Sequence, residues 1–325
     1  MVPTSPLQVV IPGGSGHLGR ILARHFHEQG HRVTVICRHP RSEEWATLCW
    51  SGYDLGDWVH VLEGADAVIN LAGRNANCRH NVSNCREIKN SRTITTGLVG
   101  RAIQQVTKPP RLWMNASTDV IYRYAVDGPV DEITGAIGGD QPGASSKWRF
   151  SVDVATSWER AFYAAETPFT RKIALRSAIV MSPEPGGLFE RLLRLVRWGL
   201  GGCYGSGDQY VSWIHDIDFI RAIEFLLAHD EIDGAINIAS PQPIKNRDFM
   251  CCLRHAWCTT YFGIPMPEWL LDAGAAFFRI EADMVLKSRR VMPRRLLESG
   301  FDFHFPNWRG ACPDLVRRWR ELNDD

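Results

Sequence analysis

Three evenly spaced glycines carry the first chemistry legible in this chain. In Val9-Val10-Ile11-Pro12-Gly13-Gly14-Ser15-Gly16-His17-Leu18-Gly19 a short β-branched run feeds a glycine cluster, and a helix-period pattern follows at once. Strand, tight turn and helix N-terminus in that order can hold a dinucleotide pyrophosphate. Gly13 permits the turn, Gly16 lets backbone approach the phosphates, and Gly19 lets the helix pack closely on the strand. Ser15, His17 and Leu18 complete the cradle, where free N–H groups and the helix dipole favour negative charge.

A second cue lies after the next apolar run, Arg32 to Cys37. An NAD-specific fold of this kind places an acidic residue there to hold the ribose 2′-hydroxyl. Here the chain reads Arg38-His39-Pro40-Arg41, with no carboxylate before Glu43. Guanidinium groups suit a 2′-phosphate through charge-assisted hydrogen bonds, so the expected cofactor is NADP(H). A third cue is the run Arg111 to Ala116, which delivers Ser117 and Thr118 to the strand end where open α/β sheets bind ligands. A hydroxyl there can donate to a developing alkoxide. The loop Arg74-Asn75-Ala76-Asn77-Cys78-Arg79-His80 offers arginine and asparagine, suited to an anionic or polyhydroxylated substrate or to plain solvation.

The elements that must position these residues alternate strand and helix. Leu18, Ile21, Leu22, His25 and Phe26 give the first helix its face, and Gly30 stands where a C-cap is wanted. Tyr53-Asp54-Leu55 is expected to end a third strand, with Asp54 and Leu55 bordering the adenine. Asp66 to Gly73 reads as a buried parallel strand whose end, Leu71-Ala72-Gly73, lies against the middle of the cofactor. A helix over Asn84–Val106, a loop over Gly135–Ser146, a helix over Trp148–Ala165 and a strand over Lys172–Val180 follow. Beyond Val180 the alternation decays: a helix at Leu188–Trp198, a glycine-rich stretch, Val211 to His215, and a helix at Asp216–Ala228. The tail from Ile264 to Trp308 holds short helices and the strand-like Phe301-Asp302-Phe303-His304-Phe305. The expected fold class is therefore α/β: a Rossmann-type doubly wound parallel sheet over residues 1–180, with a smaller substrate lobe over 181–325 that returns some strands to the main sheet.

Composition narrows the function. With 37 Lys and Arg against 36 Asp and Glu in 325 residues, the charge balance argues against nucleic acid or a membrane surface as partner. No apolar run reaches the roughly 18–20 residues of a membrane span. Met1 to Pro6 lacks a basic stretch leading into an apolar one, and the nine cysteines have no metal-ligand spacing. The expectation is a cytoplasmic protein with reduced thiols, no metal and a small-molecule substrate.

Together with Asn90-Ser91-Arg92, Gly205-Ser206-Gly207-Asp208-Gln209-Tyr210-Val211-Ser212-Trp213-Ile214-His215 and the tail Leu286 to Leu297, these motifs resemble extended short-chain dehydrogenases/reductases. Within them the chain is similar to an epimerase-like subfamily with a C-terminal domain of unknown function, here about residues 264–312. The resemblance covers nearly the whole chain. It implies NADP(H) binding, with Ser91 and Ala116 among the cofactor contacts, and Thr118, assisted by Ser117 or Tyr122, as the catalytic group facing a substrate carbonyl. It also implies that Trp213 and His215 stand beside the substrate cleft, although His215, just before Asp216, could equally cap a helix. The basic run from Lys287 to Arg295 reads as a solvated helix face. One departure is large. Such reductases carry Tyr-x-x-x-Lys on the helix after the Ser/Thr strand, the lysine lowering the phenol pKa and holding the nicotinamide ribose. No tyrosine here has a lysine four residues on, and Phe150 and Val154 align with the pair. Two functions therefore stand side by side: an NADP(H)-dependent oxidoreductase or epimerase acting on a small polar carbonyl or sugar-like compound, and a non-catalytic NADP(H)-binding redox sensor or partner-binding protein.

Overall fold

The computed structural model describes residues 5–323 apart from 77, 79, 125–127, 142–143, 258–262 and 266–286. Its frame is a seven-stranded parallel sheet. In chain order the first half runs β1 (Gln8–Pro12), α1 (His17–Glu28), β2 (Arg32–Cys37), β3 (Ala46–Cys49), β4 (Ala67–Asn70), α2 (Val82–Gln105), β5 (Leu112–Thr118), α3 (Ser146–Tyr163) and β6 (Arg171–Ser177). The second half runs β7 (Ile179–Met181), α4 (Leu188–Arg197), β8 (Tyr210–Val211), β9 (Trp213–His215), α5 (Asp216–Ala228), β10 (Gly234–Ile238), β11 (Ile244–Lys245), α6 (Asn246–Trp257), α7 (Arg294–Glu298) and α8 (Trp308–Asn323). The sheet order is β10-β6-β5-β4-β1-β2-β3, so it reverses direction between β1 and β4. In doubly wound sheets that reversal opens the crevice where ligands bind.

Strand alternation explains why the sheet is covered on both faces. Val9, Ile11, Ile69, Met114 and Leu175 pack with Leu22 and Phe26 of α1 and with Phe219 and Ile223 of α5. Their neighbours Val10, Val68, Trp113 and Ala174 point the other way, onto Leu98 and Ile103 of α2 and Phe162 of α3. A separate core joins α4, α6 and α8 around Phe189, Trp213, Phe249 and Trp308. No described helix is long and apolar enough to cross a membrane.

Four expectations about local structure change. The third strand ends at Cys49, the last residue paired with β2; Gly52, at φ +82°, turns the chain, so Tyr53-Asp54-Leu55 lies in the following bend. The Lys172–Val180 strand divides, because Ser177 is the last residue in the main sheet and Ile179–Met181 pairs instead with β9. Phe301 to Phe305 is not a strand: the N–H groups of His304 and Phe305 donate to the Asp218 carboxylate, both at 2.8 Å, while Phe301 and Phe303 meet edge to face. Its alternation comes from wedging against α5 rather than from ladder pairing. The Lys287–Arg295 run is not one solvated helix either, since Val291 bridges to Val130 and Arg289 is buried.

Candidate functional site

The glycine turn is built as its spacing requires. Gly13 has φ +77°, and a Cβ there would stand 2.5 Å from the backbone nitrogen of Ala72. A side chain at Gly19 would run into the backbone of Gly14. Both close approaches fix strand, turn and helix into one unit. No side chain caps α1 at Gly16, and its first turn holds no acidic residue. The first-turn amides are thus left without a side-chain partner, as a helix end that takes an anion requires. His17 opens the helix: Nδ1 lies 3.2 Å from the Pro185 carbonyl, while Nε2 is buried without a partner. Burial lowers its pKa, so the ring is neutral at pH 7.

A cleft of about 270 Å³ runs from this turn across the strand ends. Gly13, Ser15, Gly16, Arg38, Leu71, Ala72, Gly73, Arg74 and Ser91, all singled out in the sequence, line it together. At its outer end the wall is Trp50, Ser51, Gly52 and Tyr53 rather than Asp54 and Leu55, because the chain turns earlier than its pattern implies. A smaller pocket alongside is lined by Ser15, Arg20, Arg41, Glu43 and Thr47. Arg20, Arg38 and Arg41 thus gather around the end of β2, and none of them forms an ion pair with a described carboxylate. Arg20 escaped the sequence reading because it sits on α1; its helix register, one residue past Gly19, was the available signal.

The floor of the cleft is held from beneath by a buried polar chain. Asn70 Oδ1 accepts from the Ala72 N–H at 3.1 Å, and its Nδ2 donates to Asn115 at 2.7 Å. Thr96 of α2 donates to the same Asn115 oxygen at 3.2 Å and accepts from the Trp158 indole of α3 at 2.9 Å. Ser91 accepts from the Arg74 N–H at 2.9 Å, so it also fixes the strand end. Arg74 itself is engaged, pairing with Glu87 and donating to Asn84 at 2.9 Å. Asn75 is exposed, and Arg79 lies outside the described residues.

At the end of β5 the three candidate catalytic hydroxyls part company. Ser117 donates to Glu159 at 2.6 Å, and Glu159 is clamped by Arg176 through two 2.8 Å bonds. Tyr122 is buried, accepts from Arg176 at 2.9 Å and donates to Asn237 at 2.8 Å. Burial, opposed by the nearby Arg176, pushes its pKa up to about 12, which leaves a neutral phenol with both hydrogen-bonding roles occupied. Thr118 is half-buried and bonded only loosely, accepting from the Val120 N–H at 3.3 Å and donating to Asp119 at 3.4 Å. Ala116 is half-buried on the same strand.

On α3 the two positions that align with the missing pair are apolar in fact as in sequence. Phe150 is half-buried and meets the His80 ring edge to face, centroids 5.5 Å apart. Val154 is buried. His80 carries a buried Nδ1 without a partner, and nothing but its place in the Arg74–His80 loop marked it beforehand.

Trp213 and His215 are both fully buried in the lobe. Trp213 meets Trp308 at 5.0 Å, while His215 stacks on Phe305, accepts from the Ile217 N–H as the cap of α5, and reaches Asp314 at 3.1 Å. The capping alternative describes His215. Beside it, burial works to raise the Asp216 pKa, but the neighbouring His215 ring and two hydrogen bonds from Arg318 hold it down to about 2.

Residues 9–239 match the sequence family described as the NAD dependent epimerase/dehydratase family, and 266–315 match a domain of unknown function, DUF1731. The human epimerase family protein SDR39U1 is 31% identical over 317 residues, spanning 95% of this chain and all of the human protein. An epimerase family protein of Mycobacterium tuberculosis is 31% identical over 305 residues, 91% of this chain and 93% of its own length. The crystal structure of human SDR39U1 (isoform 2) with NADPH superposes at a TM-score of 0.81, with 29% identity over 95% of this chain and 99% of that one. The Bordetella bronchiseptica enzyme WbmG, in complex with NAD and UDP, shares the fold at a TM-score of 0.73 and 15% identity, over 99% of this chain and 96% of its own.

Proposed function

The chain belongs to the NAD-dependent epimerase/dehydratase family, and from that premise we propose that it is an NADP(H)-dependent oxidoreductase or epimerase acting on a small polar carbonyl or sugar-like compound. The observation that carries the cofactor choice is the gathering of Arg20, Arg38 and Arg41 at the end of β2 without ion-pair partners. Unpaired guanidinium groups favour a 2′-phosphate over a bare hydroxyl. The NADPH in the human relative's crystal structure supports the same choice.

The residues present fit such a dinucleotide. Gly13 leaves the space that a Cβ would fill against Ala72, and the uncapped first turn of α1 offers its amides to the pyrophosphate. When bound, the nicotinamide supplies or accepts a hydride. The chain's own contribution is the hydroxyl of Thr118, whose present hydrogen bonds at 3.3 and 3.4 Å are long enough to give up for a substrate carbonyl. Ser117 and Tyr122, the candidates to assist it, are each bonded into the Glu159–Arg176 clamp. A non-catalytic redox sensor is favoured by one observation, the apolar pair Phe150 and Val154 where the acid/base pair would stand.

Calorimetric titration of NADPH and NADH into the wild-type protein and Arg38→Ala tests the cofactor assignment. NADPH is expected to bind more tightly in wild type, and the preference to shrink in the variant. Equal wild-type affinities would remove it. A panel of aldehydes, ketones and nucleotide sugars, followed by NADPH absorbance and by product analysis for epimers, then separates enzyme from sensor. Tight NADPH binding with no turnover across the panel favours the sensor.

A further inference from the structure

Arg92 stands behind Gly73, one residue back from the cleft wall, as a cation with no described carboxylate partner. Its stem and guanidinium lie over Gly73, where an added Cβ would meet Cγ and Cζ at 3.4 Å. Gly73 is exposed and lines the cleft. From there Nη1 donates to the carbonyls of Arg74 at 3.0 Å and Ile88 at 2.9 Å, and the guanidinium lies 5.1 Å from the Trp158 ring centre. Burial, with no carboxylate to offset it, brings its pKa down to about 10, so it still carries its charge at pH 7. A desolvated cation satisfied only by carbonyls and an aromatic face is costly to keep. It is nevertheless held firmly, because Trp158 is anchored to Thr96 at 2.9 Å.

The position of Trp158 gives that cost a purpose. It lies four residues, about one helical turn, beyond Val154 on the same side of α3. Val154 is where reductases of this kind carry the lysine that holds the nicotinamide ribose. Helix α2 therefore brings a fixed positive charge close to the place where α3 has lost one, and brings it against the strand end that borders the cleft. We propose that Arg92 takes over the role of that lysine, its guanidinium holding the hydroxyls of the nicotinamide-side ribose beyond Gly73. The proposal rests on the NADP(H) reading above and assigns one of its contacts. Both hydrogen bonds of the guanidinium come from Nη1, so Nε and Nη2 remain as donors for vicinal hydroxyls, which accept two N–H bonds from one fork.

The test separates the two halves of the cofactor. 2′,5′-ADP carries the adenosine and its phosphates but no second ribose, whereas NADPH and 2′-phospho-ADP-ribose carry both riboses. Arg92→Gln is expected to weaken NADPH and 2′-phospho-ADP-ribose by about tenfold or more, the range of a lost charge-assisted contact, while 2′,5′-ADP changes less than about twofold. Arg92→Lys should recover part of the loss. Equal losses for all three probes, or none for any, in a protein with unchanged circular dichroism would overturn the assignment. If Arg92→Gln does not fold, the wild-type protein decides alone: 2′-phospho-ADP-ribose must bind about tenfold more tightly than 2′,5′-ADP, and equal affinities refute the contact. A wild-type protein that binds neither 2′,5′-ADP nor NADPH would instead refute the cofactor reading, and the proposal with it.

Discussion

Glu159→Gln should unfold this protein more readily without touching its cofactor site. The side chains of Glu159 and Arg176 are only 9% and 11% exposed, and two 2.8 Å bonds join them. Burial works against the Arg176 charge, and Glu159 more than offsets it. Removing one member of such a pair leaves the other charge buried, at a cost of about 3–5 kcal/mol. Ser117, which donates to Glu159, then loses a well-placed partner as well, at about 1 kcal/mol where no substitute forms. Replacing both members, as Glu159→Leu with Arg176→Met, removes the orphaned charge and should return to within about 2 kcal/mol of wild type. Urea unfolding at pH 7 measures all three proteins, and NADPH titration of the folded forms supplies the second axis. None of Ser117, Tyr122, Glu159 or Arg176 lines the dinucleotide cleft, so NADPH affinity should stay within about twofold. A variant that keeps its stability but loses NADPH binding would show that the clamp belongs to the site and not to its support.

Gly13→Ala should abolish measurable NADPH binding or weaken it at least tenfold, because the new Cβ needs a left-handed backbone and meets the Ala72 amide; unchanged titration curves would contradict this. Once a substrate is in hand, Thr118→Ala should lower kcat/KM by about a hundredfold, whereas Phe150→Leu leaves it nearly unchanged; the reverse pattern would move the chemistry to α3. Asp216, held down to about 2, stabilises the fold fully above its unfolded pKa near 4 and loses that contribution as pH falls through about 2. The amount is about 2–3 kcal/mol, so Asp216→Asn should flatten the fall in unfolding free energy between pH 4 and 2, and a slope parallel to wild type would refute the assignment.

Much of the frame was legible because its signals are local. The glycine spacing dictated the turn, and β-branched runs dictated β1, β2 and β4, since their central residues are mostly buried between the two helix layers. What escaped depends on partners distant in sequence. Phe301 to Phe305 alternates like a strand, yet its amides are satisfied by Asp218, 86 residues away from His304. Ser117 and Tyr122 looked like free hydroxyls because Glu159, Arg176 and Asn237 approach them only in the folded sheet. Trp213 and His215 carried the resemblance motif for a packing reason: they close the core shared with Trp308 and Phe305.

The same dependence on distant partners explains how α3 can lose its reactive pair without disturbing the architecture. Positions 150, 154 and 158 follow one side of the helix at about one turn each. In this chain that side carries Phe150 against His80, Val154 in the core, and Trp158 under Arg92. Phenol and ammonium have been exchanged for packing, while an imidazole from the loop after β4 and a guanidinium from α2 approach the same side from neighbouring elements. A buried ammonium at position 154 would add a second cation one turn from the Trp158 ring that Arg92 already covers, and burial alone already weighs on the Arg92 charge. Arg92 and an α3 lysine are therefore alternatives, and a protein that keeps the first has a physical reason to do without the second.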